Sequence, residues 1–242
     1  MTADVTRWRI ERYDTLDSTS DFCARRAATG EPAGLMVLAG RQTSGRGRAG
    51  RQWNSPAGNF YGSVLLRPNI PAGQGGWYAL LAGLALIEAL DAALPTPGRI
   101  ALKWPNDVMA GDAKLAGILL DATIENGVIA WLVIGVGVNL VTAPHVPGRT
   151  TASLASLGGT MTPEDLASVL CTRLDHWLGV LPLGSETLRR AWMARAHPEG
   201  AALTVDGGRL TGQYVGLDKD GALLLRDGER VVALRGGDVA LI

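Results

Sequence analysis

The residues most able to do chemistry lie in Arg41 to Trp53, Arg-Gln-Thr-Ser-Gly-Arg-Gly-Arg-Ala-Gly-Arg-Gln-Trp, which packs four arginines and three glycines into thirteen positions. From Pro32 through Ile87 the chain has five arginines and no Asp, Glu or Lys, although its formal net charge is +0. Glycine lets a backbone wrap closely around a ligand and turn its amides toward an anion. Arginine supplies planar forks for phosphate or carboxylate. Gly45-Arg-Gly47-Arg-Ala-Gly50 also matches the dinucleotide pattern G-x-G-x-x-G. No helix opens after it and no acid follows at the required distance, so that match is set aside. A solvated arginine loop is the bland alternative. Nucleic-acid binding would need basic residues spread over a face, which the remaining chain does not provide.

Four further stretches offer polar groups beside tight backbone. Lys103-Trp104-Pro105-Asn106-Asp107 delivers an amide and a carboxylate at a strand end, or forms a plain turn. Lys114 opens the apolar run Leu115-Ala116-Gly117-Ile118-Leu119-Leu120, either as a functional cation or as an edge lysine facing water. Gly117 in mid-strand suits a close approach to the backbone. Gly135-Val136-Gly137-Val138-Asn139 is another apolar strand that ends in an amide. Asp17-Ser18-Thr19-Ser20 is a helix cap or a set of hydroxyl donors.

The elements that must position these groups follow from periodicity. Arg7 to Tyr13 reads as a strand, Phe22 to Ala28 as a helix stopped at Gly30, and Leu35 to Ala39 as a buried strand feeding the arginine loop. Asn59 to Arg67 is the next strand. Trp77 to Leu94 is a helix apolar nearly all round, suited to burial between layers, and Pro95 and Pro97 end it. Strands Arg99 to Trp104, Lys114 to Thr123 and Val128 to Val138 follow, the last two joined by the Asn126-Gly127 turn. Helices are predicted from Thr162 to about Leu178 and from Ser185 to Ala196. From Ala201 onward, short alternating strands (Leu203 to Val205, Leu210 to Gly216, Ala222 to Arg226, Arg230 to Leu234, Val239 to Ile242) predict a small antiparallel barrel of SH3-like size.

The 242 residues suit one large domain or one domain with a small appendage, and 47% apolar composition is ample for a core. Balanced charge argues against a general nucleic-acid or membrane-surface binder. Two distant cysteines, Cys23 and Cys171, indicate neither a disulfide framework nor a zinc site. Met1 to Arg12 lacks an apolar signal core, and the apolar Trp77 to Leu94 stretch carries Glu88 and Asp91. The expectation is a soluble cytoplasmic protein that binds neither membrane nor DNA.

In this order and spacing the five stretches closely resemble the biotin–protein ligases, over essentially the whole chain. The Gln42 to Trp53 segment and Lys103-Trp-Pro-Asn-Asp107 are its most specific elements. Ser20 stands where that family usually has Asn, and Ala49 where a basic residue is common. The resemblance implies an α+β fold, with a mixed or antiparallel sheet and flanking helices in a class II synthetase-like catalytic domain (1–198) and an SH3-like barrel (199–242). About sixteen residues precede Ser18, too few for a helix-turn-helix, so a short form without a DNA-binding domain is expected.

The implied reaction activates biotin with ATP to biotinyl-5′-AMP and pyrophosphate, then transfers the biotinyl group to a lysine of a carboxylase carrier domain. The resemblance places Ser18, Thr19, Ser20, Gln42, Gly45, Arg46, Gly47 and Gly117 around biotin. It places Arg46, Arg48, Arg51, Trp53, Lys103, Asn106, Lys114 and Asn139 around ATP or the adenylate. Lys114 and Arg48 are the expected catalytic cations. Asp107 either helps hold Mg²⁺ or receives the proton of the incoming lysine. A monomer and a homodimer both remain open. So does a lipoate or octanoate ligase, which the complete arginine loop and terminal barrel disfavour.

Overall fold

The computed structural model of the chain describes residues 8–241. Arg7 of the first expected strand and Ile242 of the last lie outside the described residues. The chain order is β1 (Arg9–Leu16), α1 (Thr19–Ala28), β2 (Leu35–Gln42), β3 (Phe60–Leu66), β4 (Ile70–Pro71), α2 (Gly76–Asp91), β5 (Ala101–Lys103), β6 (Asp107–Ala110), β7 (Ala113–Glu125) and β8 (Val128–Val138). Then come α3 (Pro163–Val180), α4 (Ser185–Met193), β9 (Ala202–Val205), β10 (Leu210–Leu217), β11 (Leu223–Asp227), β12 (Arg230–Leu234) and β13 (Val239–Leu241).

An eight-stranded sheet runs β1-β2-β3-β8-β7-β6-β5, with β4 paired to β8 off the path. Only β1–β2 is parallel, so the sheet is mixed as expected. Strand residues alternate between two covered faces, which explains why β2 and β3 read as unbroken apolar runs. Leu35, Val37, Leu65 and Val133 pack under Cys23 and Ala27 of α1. Met36, Leu38, Val64 and Ile134 join the larger core formed with α2, α3 and α4. Helix α2 has twelve buried residues and lies between layers, as its all-round apolar surface requires.

Local signals explain the connections. Ser18 caps α1 by accepting from the Asp21 N–H, and Thr162 caps α3 by accepting from Asp165, with Pro163 in the first turn. Asn126 and Gly127 both take positive φ, at 50° and 80°, and turn β7 directly into β8. The strand β6 was not expected. Pro105-Asn106 turns β5 back on itself, Lys103 pairs with Asp107, and the short Asp107–Ala110 run completes a hairpin.

The C-terminal expectation needs correction. Strands β9 to β13 do form a separate antiparallel sheet, but its order is β12-β11-β10-β9-β13. Among the described residues no pairing joins β12 to β13, so hydrogen bonding leaves the sheet open and does not close a barrel. Its apolar residues Leu203, Val205, Tyr214, Leu223 and Leu225 merge with the core over α2. Trp104 Nε1 donates to Gly221 O at 3.2 Å, tying the β5–β6 hairpin to the same sheet.

The buried helix makes a plain stability test. Leu81 is fully buried. Leu81→Ala is expected to cost about 2–5 kcal/mol of unfolding free energy through lost transfer energy and a residual cavity, measured by urea denaturation. An unchanged midpoint would contradict this packing.

Candidate active site

The sheet face covered by α1 is only partly covered. Val133 lies under the helix, and Gly135 and Gly137 continue the same face beyond it. Gly137 pairs directly with Gly117 of β7, and Gly135 lies between Ser63 of β3 and Leu119 of β7. Paired glycines leave backbone without side chains, and they line a cavity of about 330 Å³. Trp53 returns from the arginine loop to lie against this strip. An added Cβ at Gly137 would stand 2.5 Å from Trp53 Cε2, closer than packed atoms tolerate. The Trp53 indole N–H is buried with no hydrogen-bond partner among the described residues.

One end of the cavity is neutral and polar. Ser18, Thr19 and Ser20 enter from the start of α1, and Gln42 from the end of β2. Gln42 Oε1 accepts from Thr19 N at 2.9 Å, and Gln42 Nε2 donates to Ser55 Oγ at 3.0 Å. Ser63, fully buried in β3, contacts both Thr19 and Ser20 hydroxyls.

The other end is cationic. Arg48, Arg51, Lys114 and Arg149 face the cavity there against two carboxylates, Asp107 and Asp238, while Arg46 lines it nearer α1, between Asp21 and Asp121. Lys114 Nζ stands 2.6 Å from Asp107 Oδ1, with side-chain exposures of 17% and 8%. It also lies 5.4 Å from the centroid of the Trp53 ring, so a carboxylate and a π face hold the ammonium in place. Arg48 donates to Asn106 Oδ1 at 2.8 Å and to Gly237 O at 3.1 Å. Arg51 and Arg149 both reach Asp238, at 2.8 and 2.7 Å. Burial works to raise the Asp238 carboxyl, but the Arg51 hydrogen bond and the nearby charges of Arg149, Arg51 and Lys103 outweigh it and hold it below its usual value.

The structure brings most of the expected residues to one cavity and gives several of them different neighbours. Gly45 is not in the cavity wall. The space where its Cβ would sit holds Trp53 O at 2.5 Å and Ser55 Oγ at 2.7 Å, so the loop's own closure requires this glycine. Gly47 lines the cavity and its N–H bonds Arg51 O at 2.7 Å. Lys103 also lies outside the wall. Burial pushes its ammonium below the usual range, against the pull of Asp107 and Asp238. Arg46 pairs with Asp21 and, at 2.8 Å, with Asp121, so its fork is engaged by carboxylates. Asn106 accepts from Arg48 and donates to Ile118 O at 2.6 Å, and Asn139 donates to Ala152 O at 3.0 Å. Both amides hold the frame of the cavity.

Sequence reasoning missed Ser55, Ser63, Arg149 and Asp238. Ser63 sits inside an apolar strand run, and Asp238 follows two glycines that read only as a turn. Their partners lie far away in the chain, so local pattern carried no signal for them.

The Mg²⁺ expectation bears on the donor set. Among the described residues no group of three or more His, Cys, Asp or Glu side chains is placed to hold a metal ion. Asp107 is already paired with Lys114. Such a site fits Mg²⁺ carried in mainly by phosphate and water, with one protein carboxylate at most contributing, as Mg²⁺ commonly binds beside a nucleotide.

Residues 14–139 match the model of the biotin/lipoate A/B protein ligase family. This chain belongs to that family. A biotin–[acetyl-CoA-carboxylase] ligase of Paracoccus denitrificans is 37% identical over 84% of this chain and 88% of its own length. One of Mycobacterium tuberculosis is 33% identical over 93% and 85%. The Aquifex aeolicus biotin protein ligase, solved in complex with biotin and ATP, superposes with a TM-score of 0.80 at 25% identity, covering 97% of this chain and 98% of that one. The family resemblance drawn from the motifs is borne out.

The double contact at Asp238 makes the arginine loop depend on the C-terminal sheet. Asp238→Ala removes the shared partner of Arg51 and Arg149 and is expected to loosen the loop. Limited trypsin digestion should then cut after Arg48 or Arg51 several-fold faster, at unchanged melting temperature. An unchanged cleavage rate would show that the contact does not hold the loop.

Proposed function

We propose that this chain is a biotin–protein ligase, forming biotinyl-5′-AMP and then biotinylating a lysine of a carboxylase carrier domain. The observation that carries the reading is the polarity of one cavity. A hydrogen-bonding end without net charge suits a ureido ring, the wall formed by the glycine strip and Trp53 suits a flat apolar body, and a cationic end suits a carboxylate meeting a triphosphate. Trp53 lies over the middle.

In the first step a biotin carboxylate oxygen attacks the α-phosphorus of ATP and pyrophosphate leaves. Both reactants are anionic, and fixed cations offset their repulsion and the charge gathering on phosphorus. Lys114, held by Asp107 and Trp53, and Arg48, held by Asn106 and Gly237, are the groups to which we assign that charge. Arg51 and Arg149 add to it when nucleotide phosphate competes with Asp238 for their forks. Mg²⁺ arriving with ATP would neutralise phosphate charge, with Asp107 the carboxylate placed to contribute to it. In the second step the carrier lysine, as the free amine, attacks the acyl carbon of the mixed anhydride. The C–O bond to AMP breaks, and the amine proton is lost to Asp107 or to water.

The remaining assignments belong to the same proposal. We divide the chain into a catalytic unit, 1–198, and a C-terminal unit, 199–242, whose open five-stranded sheet we read as SH3-like. Its contacts at Gly237 and Asp238 give it a role in closing the arginine loop. A cytoplasmic location is supported by the two buried free cysteines, Cys23 and Cys171, and no described helix is long and apolar enough to cross a membrane.

The test is adenylate formation from biotin, ATP and Mg²⁺. Lys114→Ala and Arg48→Ala are each expected to lower its rate by about 10²–10³-fold, the usual effect of removing one transition-state charge partner. Full rates in both variants would contradict the mechanism. Pyrophosphate exchange that responds to lipoate and not to biotin would move the chain to the other branch of its family.

A further inference from the structure

Resting on the biotin reading, the hydrogen bonds at the neutral end of the cavity have a fixed direction. The Thr19 backbone N–H can only donate, so Gln42 Oε1, 2.9 Å away, is its acceptor. Gln42 Nε2 therefore faces Ser55 Oγ at 3.0 Å, and Ser55 places its own proton on Trp53 O, also at 3.0 Å. Thr19 Oγ1 lies 3.1 Å from Gln42 Oε1, an acceptor, and must donate to it. Having placed its one proton there, Thr19 Oγ1 can only accept from Ser63 Oγ, at 2.8 Å. Ser63 then has no second proton, so in the 3.1 Å contact between the Ser20 and Ser63 hydroxyls the donor is Ser20.

This order leaves Ser20 facing the cavity with lone pairs alone. Ser63 is 0% exposed and Thr19 3%, so water cannot readily reverse the chain of donors. Beside it, Ser18 Oγ accepts from the Asp21 N–H at 3.2 Å and keeps its own proton for an acceptor in the cavity. The end of the pocket thus offers an acceptor next to a donor, the complement of the adjacent N–H and C=O of a cyclic urea. A ring without N–H, such as a dithiolane, would leave the Ser20 acceptor unmatched, and a site built for a hydrogen-bonding group discriminates strongly against a ligand lacking it.

We infer that Ser63, which does not itself reach the cavity, is a specificity-determining positioning residue: it holds the Ser20 hydroxyl as an obligatory acceptor and so selects a cyclic urea over rings that carry no N–H.

The test is titration calorimetry of the full chain with biotin, without ATP, and with two analogues methylated singly at one or the other ureido nitrogen. Ser63→Ala frees the Ser20 proton to point into the cavity. Biotin affinity is expected to fall about tenfold, the effect of one net hydrogen bond. For the analogue that lacks the N–H facing Ser20, the same substitution should change affinity less than twofold, because that contact is already gone. Ser20→Ala, which leaves Ser63 paired to Thr19, is expected to repeat the pattern and serves if Ser63→Ala does not fold. Ser63→Thr, which keeps a hydroxyl, should restore most of the affinity.

Equal losses for biotin and both analogues would show a merely structural role and overturn the inference. No loss for biotin in Ser63→Ala or Ser20→Ala would overturn it as well. A native chain that binds no biotin would instead defeat the functional reading itself, and is told apart because no substitution is involved.

Discussion

The constraint on which the site depends is the absence of side chains where β7 meets β8. Gly117 and Gly137 stand opposite each other in register, and Gly135 continues the row. Ordinary residues there would fill the sheet face as Val133 does, and α1 would cover an unbroken apolar layer. With glycine the backbone itself becomes the floor of a cavity. The register of two long antiparallel strands brings the glycines together, and the Asn126-Gly127 turn helps to set that register. Trp53 can lie against the strip only because nothing projects from it, and its position brings the arginine loop back over the sheet.

The polar groups follow from that floor. The hydroxyls of α1's first turn reach the uncovered end, and Lys114 rises from the start of β7 with Asp107 on the neighbouring strand β6. The groups around the loop arginines come from distant parts of the chain: Asn106 from a hairpin, Arg149 from a loop, Gly237 and Asp238 from between the C-terminal strands. Ion pairs at exposed positions contribute little stability singly. Here their role is geometric, because Asp238 joins two otherwise independent loops at the mouth of the cavity and Asp107 points the Lys114 ammonium. The largely buried pair Lys114–Asp107 tolerates its desolvation only because each charge has the other at 2.6 Å.

Much of this was legible in the sequence, for local reasons. Ser18 and Thr162 announce helix starts because capping depends on residues three positions away. Asn126-Gly127 announces a hairpin because few other pairs accept two positive φ values. The arginine and glycine spacing pointed to a cationic loop at a strand end, and the loop does leave β2 to line the cavity. What was hidden depended on tertiary contact. Strand β6 is too short to show a period, and its motif also reads as a turn. Gly45 looked available to a ligand, yet its space is taken by Trp53 O and Ser55. Arg46 looked like a free cation, yet Asp21 and Asp121 hold it. Closure of the C-terminal strands could not be read from alternation, since an open sheet and a barrel alternate alike.

The proposed activity is one reaction with one acceptor. The chain is to be incubated with biotin, ATP, Mg²⁺ and an isolated biotin-carrier domain, and the carrier's intact mass and peptide map followed over time. The expected result is a gain of one biotinyl group on a single carrier lysine, dependent on ATP and absent when lipoate replaces biotin. An unmodified carrier, or one modified by lipoate instead, would contradict it.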